Sequence, residues 1–248
     1  MPRLGVHVAS GAVVRHSTLF LAAALLAAAC KSGMQSPTVQ MRMKDHDKHG
    51  LAIRDAVARG DLDGAKREAA GLALLPVEGP IDPAWKRKLD AMNVAAARIA
   101  NAADLKDAAH GLGPLAKTCG DCHTMLGRPW PAVPAPTGQA SGVQPFMVRH
   151  EWAASRMWDG LAIPSDDAWK AGALALAEEP ISPEALTPGK TPVAKVGELE
   201  QLVHELGRKA ETTDKVDARM QLYGETMATC AECHAWLHGG PGRTEMQR

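Results

Sequence analysis

Leu105-Lys-Asp-Ala-Ala109-His-Gly-Leu112-Gly-Pro-Leu-Ala116-Lys-Thr-Cys119-Gly-Asp-Cys122-His123 decides the fold. Its apolar residues step by three and four, so Leu105, Ala109, Leu112, Ala116, Cys119 and His123 share one stripe of a helix. Residues i, i+3 and i+4 meet on one helical face. The helix therefore ends by presenting two thiols and an imidazole together. Gly127 and Pro129 stop it. The same design returns near the other end of the chain. There Val216, Met220, Tyr223, Met227, Cys230 and His234 form the stripe, and Gly239, Gly240 and Pro241 end it.

The two pentapeptides are Cys119-Gly-Asp-Cys122-His123 and Cys230-Ala-Glu-Cys233-His234. This spacing attaches a c-type haem: two cysteines become thioethers on the porphyrin, and the next histidine becomes an iron ligand. Two covalently bound haems c are expected, through Cys119, Cys122, Cys230 and Cys233. A four-thiolate zinc site fits less well, because the pairs end separate units and each is followed at once by histidine. A thiol–disulfide oxidoreductase would place the motif at the start of a helix after a strand.

The chain is a tandem repeat. Met43-Lys-Asp-His46 recurs as Met147-Val-Arg-His150, an offset of 104, while Cys119 and Cys230 are 111 apart. About seven residues are therefore inserted in the second unit, between its second and fourth helices. Each unit reads as four helices, giving an all-α fold of two tandem four-helix bundles with a haem near the end of each last helix. In the first unit the stripes are Met43, His46, Gly50, Ile53, Val57; then Leu62, Ala65, Ala69, Leu72; then Trp85, Leu89, Met92, Ala96, Ile99. In the second they include Met147, His150, Met157, Leu161; Trp169, Ala173, Leu176; and Val196, Leu199, Val203, Leu206, Ala210. The domains expected are 41–126 and 145–240, joined by a Pro/Gly linker at 127–144 and followed by a tail at 241–248.

The 248 residues carry zero formal net charge, and no basic run suggests a nucleic-acid partner. Two Phe, one Tyr and six Trp stand among many alanines. Such a core packs helices closely but buries little apolar area per residue. A large apolar cofactor would repair that deficit. Of five cysteines, the one outside the pentapeptides is Cys30. It follows an uncharged stretch, Ser17 to Ala29, preceded by Arg3 and Arg15. That stretch is too short to span a bilayer and reads as a signal peptide over 1–29. Small residues running into Cys30 resemble a lipoprotein signal, so lipidation at Cys30 and a tether at 30–40 are expected. The protein would be exported and held at a membrane on the periplasmic side. Lys31, with no acidic residue after Cys30, points to the outer membrane rather than the inner.

Haem attachment at the end of a four-helix unit resembles the class II cytochromes, the cytochrome c′ and c556 group, over roughly Met41 to Gly240. The resemblance implies that His123 and His234 are the proximal ligands and that the sixth iron position faces the first helix of each unit. Two ligand types recur there. His46 and His150 are favoured, since an imidazole on the bundle-facing stripe needs a partner and iron supplies one. Met43 and Met147 are the alternatives, and the family analogy prefers them. The expected function is single-electron transfer between redox partner proteins by Fe(III)/Fe(II) cycling, as a carrier rather than an enzyme. The rival is an open-site, gas-binding or sensing haem protein. His49 reads as surface or rim. His204, aligned with Asn93, reads as solvated.

Overall fold

The computed structural model describes residues 37–76, 82–126, 142–187 and 194–237, without the side chains of 37–40 and Leu126. The expected signal peptide, Cys30, most of the linker and the tail lie outside these residues. Contacts divide the chain into two compact units, Met1–Asp45 and His46–Arg248. The described part of the first, 37–45, is helical throughout.

The described residues form nine helices and no strand: α1 Pro37–Ala58, α2 Leu62–Ala73, α3 Pro83–Ala100, α4 Leu105–Leu126, α5 Val143–Ala162, α6 Asp166–Leu176, α7 Pro183–Leu186, α8 Ala194–Glu211 and α9 Val216–Leu237. None is long and apolar enough to cross a membrane.

Local chemistry sets the boundaries. The Asp61 carboxylate accepts from the Gly64 N–H at 2.8 Å and caps α2. Asp82 accepts from the Ala84 N–H at 2.6 Å, and Pro83 opens α3 with its φ already helical. Ser165 caps α6 through the Ala168 N–H at 3.2 Å. The second repeat departs from the first at Ser182-Pro183. There the same cap-and-proline signal opens only the four-residue α7, and the long α8 begins separately at Ala194. The short helix accounts for part of the extra length in that repeat.

Neighbouring helices pack in sequence, α2 on α3 on α4 in the first half and α5 on α6 on α8 on α9 in the second. The two halves also interlock. Helix α4 packs on both α5 and α9, and α5 on α9. Arg54 of α1 donates to the Ser155 hydroxyl of α5 at 3.2 Å. One hydrophobic core consequently draws on both halves, with Ile53, Leu72, Ile99, Leu112 and Leu115 from the first and Met157, Trp169, Leu176, Tyr223 and Met227 from the second. Pooling the two apolar faces offsets the small burial of an alanine-rich chain.

Glycine makes the close crossing of α4 and α9 possible. A Cβ on Gly113 would lie 2.3 Å from the Met220 carbonyl oxygen, and one on Gly224 would lie 2.9 Å from the His110 Cα. These glycines hold equivalent places in the repeat. Trp169 closes the second half. It is fully buried, donates through Nε1 to the Ala210 carbonyl at 2.9 Å, and carries the Arg219 guanidinium 5.3 Å from its ring centroid.

A smaller core lies apart. Leu186, Val196, Leu199 and Cys233 are buried together, with Val143, Met147, Ile181 and Leu237 packed against them.

Candidate haem-attachment sites

Both pentapeptides are helical, at the C-terminal ends of α4 and α9. Cys119, Cys122, Cys230 and Cys233 are all free thiols. Burial pushes the Cys119 and Cys230 thiols up to about 12, helped in each case by the second cysteine of the pair. Burial also raises Cys122, against an opposing pull from Lys88, and takes Cys233 to about 11. Apolar surroundings thus hold neutral thiols, unlike the thiolates of a zinc cage.

Each following histidine is fixed from the opposite half. His123 Nδ1 lies 2.7 Å from the carbonyl oxygen of Ala162, the last residue of α5. His234 Nδ1 lies 2.6 Å from the carbonyl oxygen of Ala58, the last residue of α1. A carbonyl only accepts, so Nδ1 carries the proton and donates. The lone pair on each ring is therefore at Nε2, the nitrogen needed for a metal.

In the first half, α1 brings Asp47 toward Cys119 and His123. His46 is half-buried. The Asp47 carboxyl is raised above its ordinary value by partial burial, opposed by Arg54 and by His123. Asp121, inside the pentapeptide, pairs with Lys117 at 2.9 Å and with Lys88 of α3 at 3.7 Å. In the second half Glu232 holds the equivalent position and pairs with Lys195 of α8 at 3.3 Å. Met43 falls in the unit Met1–Asp45. Met147 packs against the small core that contains Cys233.

The second half adds a cluster absent from the first. His150 on α5 has a buried Nε2 with no hydrogen-bond partner. Burial lowers its pKa to about 4, against the pull of Glu200 and with a contribution from His204 and His234. The imidazole is therefore neutral at physiological pH. Its ring lies 4.3 Å from that of Phe146 and 5.2 Å from that of His204. His204 is 1% exposed, not solvated as its sequence position suggested. Its Nε2 is 3.0 Å from Glu200 Oε1, which also accepts the Ile181 N–H at 3.3 Å. His204 Nδ1 is buried with no partner. Sequence reasoning named His204 but read it as solvated and missed Glu200, although their four-residue spacing on a helix beside Val196, Leu199 and Val203 was visible. His49 bonds Glu68 of α2 at 2.8 Å on the rim, in keeping with its expected place.

Comparison with protein-family models, with curated proteins and with solved structures finds no match to this chain.

The residues present fit the cofactor their spacing implies. Each pair of free thiols lies in or beside a buried apolar cluster, each next histidine has its Nδ1 committed to a carbonyl, and an unpartnered imidazole nitrogen lies in the second half.

Proposed function

We propose that this chain is a dihaem c-type cytochrome of the class II kind, a carrier of single electrons on the periplasmic side of a membrane. It is anchored there by lipid on Cys30. The observation that carries this reading is the reciprocal pair of imidazole–carbonyl bonds, His123 to Ala162 and His234 to Ala58. Structural histidines have no need to leave Nε2 in the same state twice. Iron ligands do.

Haem c, when bound, supplies reversible one-electron Fe(III)/Fe(II) chemistry. Cys119 and Cys122 would hold one macrocycle on α4, and Cys230 and Cys233 the other on α9. His123 and His234 would present Nε2 as proximal ligands. For the sixth position, α1 offers His46, while α5 offers His150 and, one turn earlier, Met147. The Ala58 and Ala162 carbonyls orient the proximal imidazoles and make them more basic, which favours the ferric state. Electrons would pass to and from partner proteins without bond making.

Intact mass, the visible spectrum and the paramagnetic-resonance spectrum of the purified protein test this together. Two haem additions and two low-spin irons are expected, with slow uptake of carbon monoxide by the reduced form. Rapid stoichiometric carbon monoxide binding would instead assign an open-site gas-binding protein.

A further inference from the structure

The second half carries two buried donors, Glu200 and His204, that the first half lacks, beside the half-buried His150. By repeat position, Leu89 and Asn93 stand where Glu200 and His204 do. One donor atom from each of His150, Glu200 and His204 lies within 4.8 Å of the other two. His204 is 1% and Glu200 is 3% exposed, so neither is a solvated surface group. A buried carboxylate and two imidazoles are costly to keep in a protein interior unless all their polar atoms are satisfied. Here they are not. His150 Nε2 lacks a partner, and an ion between the three side chains would supply one.

We propose that His150, Glu200 and His204 form a non-haem site for a divalent cation of the zinc class, Zn2+ or Fe2+. Two imidazoles with one carboxylate are a recurrent donor set for these ions, with open positions left for water or a small ligand. The geometry is already close. Donors about 2.0 Å from a tetrahedral ion are about 3.2 Å from each other. Glu200 Oε1 and His204 Nε2 are 3.0 Å apart. The Ile181 N–H holds the carboxylate from behind, as an outer-shell group does. Glu200 and His204 are one turn apart on α8, and His150 closes the set from α5. The ion would tie together two helices that flank the second attachment site.

This inference rests on the dihaem reading and sharpens it. His150 Nε2 serves either the haem iron or this cation, not both at once. With His150 taken by the cation, the sixth position of the second haem falls to Met147, which packs beside Cys233. The two haems would then be held differently, by His123 and His46 in the first half and by His234 and Met147 in the second.

The test uses the purified full-length dihaem protein, stripped with a chelator and titrated with Co2+ as the spectroscopic probe. Uptake of one Co2+ per chain with visible ligand-field bands is expected. Glu200→Gln and His204→Ala should each weaken it by at least the ~10–100-fold that loss of an outer-shell partner costs. The near-isosteric Glu200→Gln guards against misfolding in the second variant. His150→Ala should abolish Co2+ binding and leave the second haem low-spin. No Co2+ uptake, or uptake unchanged in Glu200→Gln, overturns the proposal. So does a His150→Ala protein that turns one haem high-spin while still binding Co2+. Intact mass reports the haems separately, so a failure of the cytochrome reading is distinguishable.

Discussion

His123 and Ala162 belong to different halves of the chain, yet the imidazole Nδ1 of one lies 2.7 Å from the carbonyl oxygen of the other. The repeat generates the mirror relationship between His234 and Ala58 at 2.6 Å. Each carbonyl ends its helix, where four carbonyls lack intrahelical donors. The two halves therefore satisfy each other's helix ends with the residues that would hold iron.

Gly120 should be the sensitive point of the first of these contacts. It lies inside the first pentapeptide, and a Cβ there would sit 2.2 Å from the Leu161 carbonyl oxygen, one residue before Ala162. Gly120→Ala must displace the end of α5 and with it the acceptor of His123. A loss of about 1–3 kcal/mol is expected from overpacking. The potential and resonance signal of one haem should move while the other stays. Movement of both signals equally, or of neither, would show that the carbonyl does not orient His123.

Much of this was legible beforehand. The stripes Ile53–Val57, Ala65–Ala69–Leu72, Met92–Ala96–Ile99 and Val196–Leu199–Val203–Leu206–Ala210 are buried as their spacing requires. The pentapeptides end their helices as expected. Partner choice between helices was not legible, because stripes of Ala and Gly fit many neighbours equally well. Nothing local tells α4 to pack on α5 and α9. His204 was misjudged because a polar residue opposite Asn93 looks solvated. Its burial depends on Glu200 and on α5 arriving from elsewhere. The four-residue α7 escaped notice because Ser182-Pro183 copies the signal that opens a full helix at Asp82-Pro83.

The thiols give a pH signature. As free thiols, Cys119 and Cys230 sit near 12 and Cys233 near 11, against 9.0 for an ordinary thiol. At pH 8 only roughly 1 in 10,000 of the most shifted thiols is ionised. Alkylation should be far slower than for the unfolded chain and keep rising above pH 9. The sign for stability follows. The folded state retains protons that the unfolded state loses above pH 9, so the haem-free fold weakens as pH rises beyond that point. Alkylation at pH 8 as fast as in denaturant would contradict the apolar packing around these thiols.

Trp169 should carry a large share of the stability of the second half. It is fully buried and its Nε1 bond to Ala210 links α6 to α8. Trp169→Ala leaves a cavity and removes one of the two hydrogen bonds to the Ala210 carbonyl, which keeps the Thr213 N–H at 3.1 Å, a cost of about 3–5 kcal/mol. Urea unfolding should show a lower midpoint. Trp169→Phe keeps most of the volume and should recover over half of the loss. An alanine variant within about 1 kcal/mol of the parent would mean the core closes without this side chain.

The two crossing glycines allow a ranking. Gly113 faces the Met220 backbone at 2.3 Å from an added Cβ, whereas Gly224 faces the His110 Cα at 2.9 Å. Backbone cannot rotate away as a side chain can, so both alanine variants should destabilise, by about 1–3 kcal/mol. Gly113→Ala should cost more than Gly224→Ala, since its clash is deeper. Because α4 and α9 each end in one of the two pentapeptides, either change should disturb the signals of both proposed haems, unlike Gly120→Ala. Thermal unfolding and paramagnetic resonance of the three variants together check this. The reverse order of stability, or a disturbance confined to one haem, would show that α4 and α9 do not cross at these glycines.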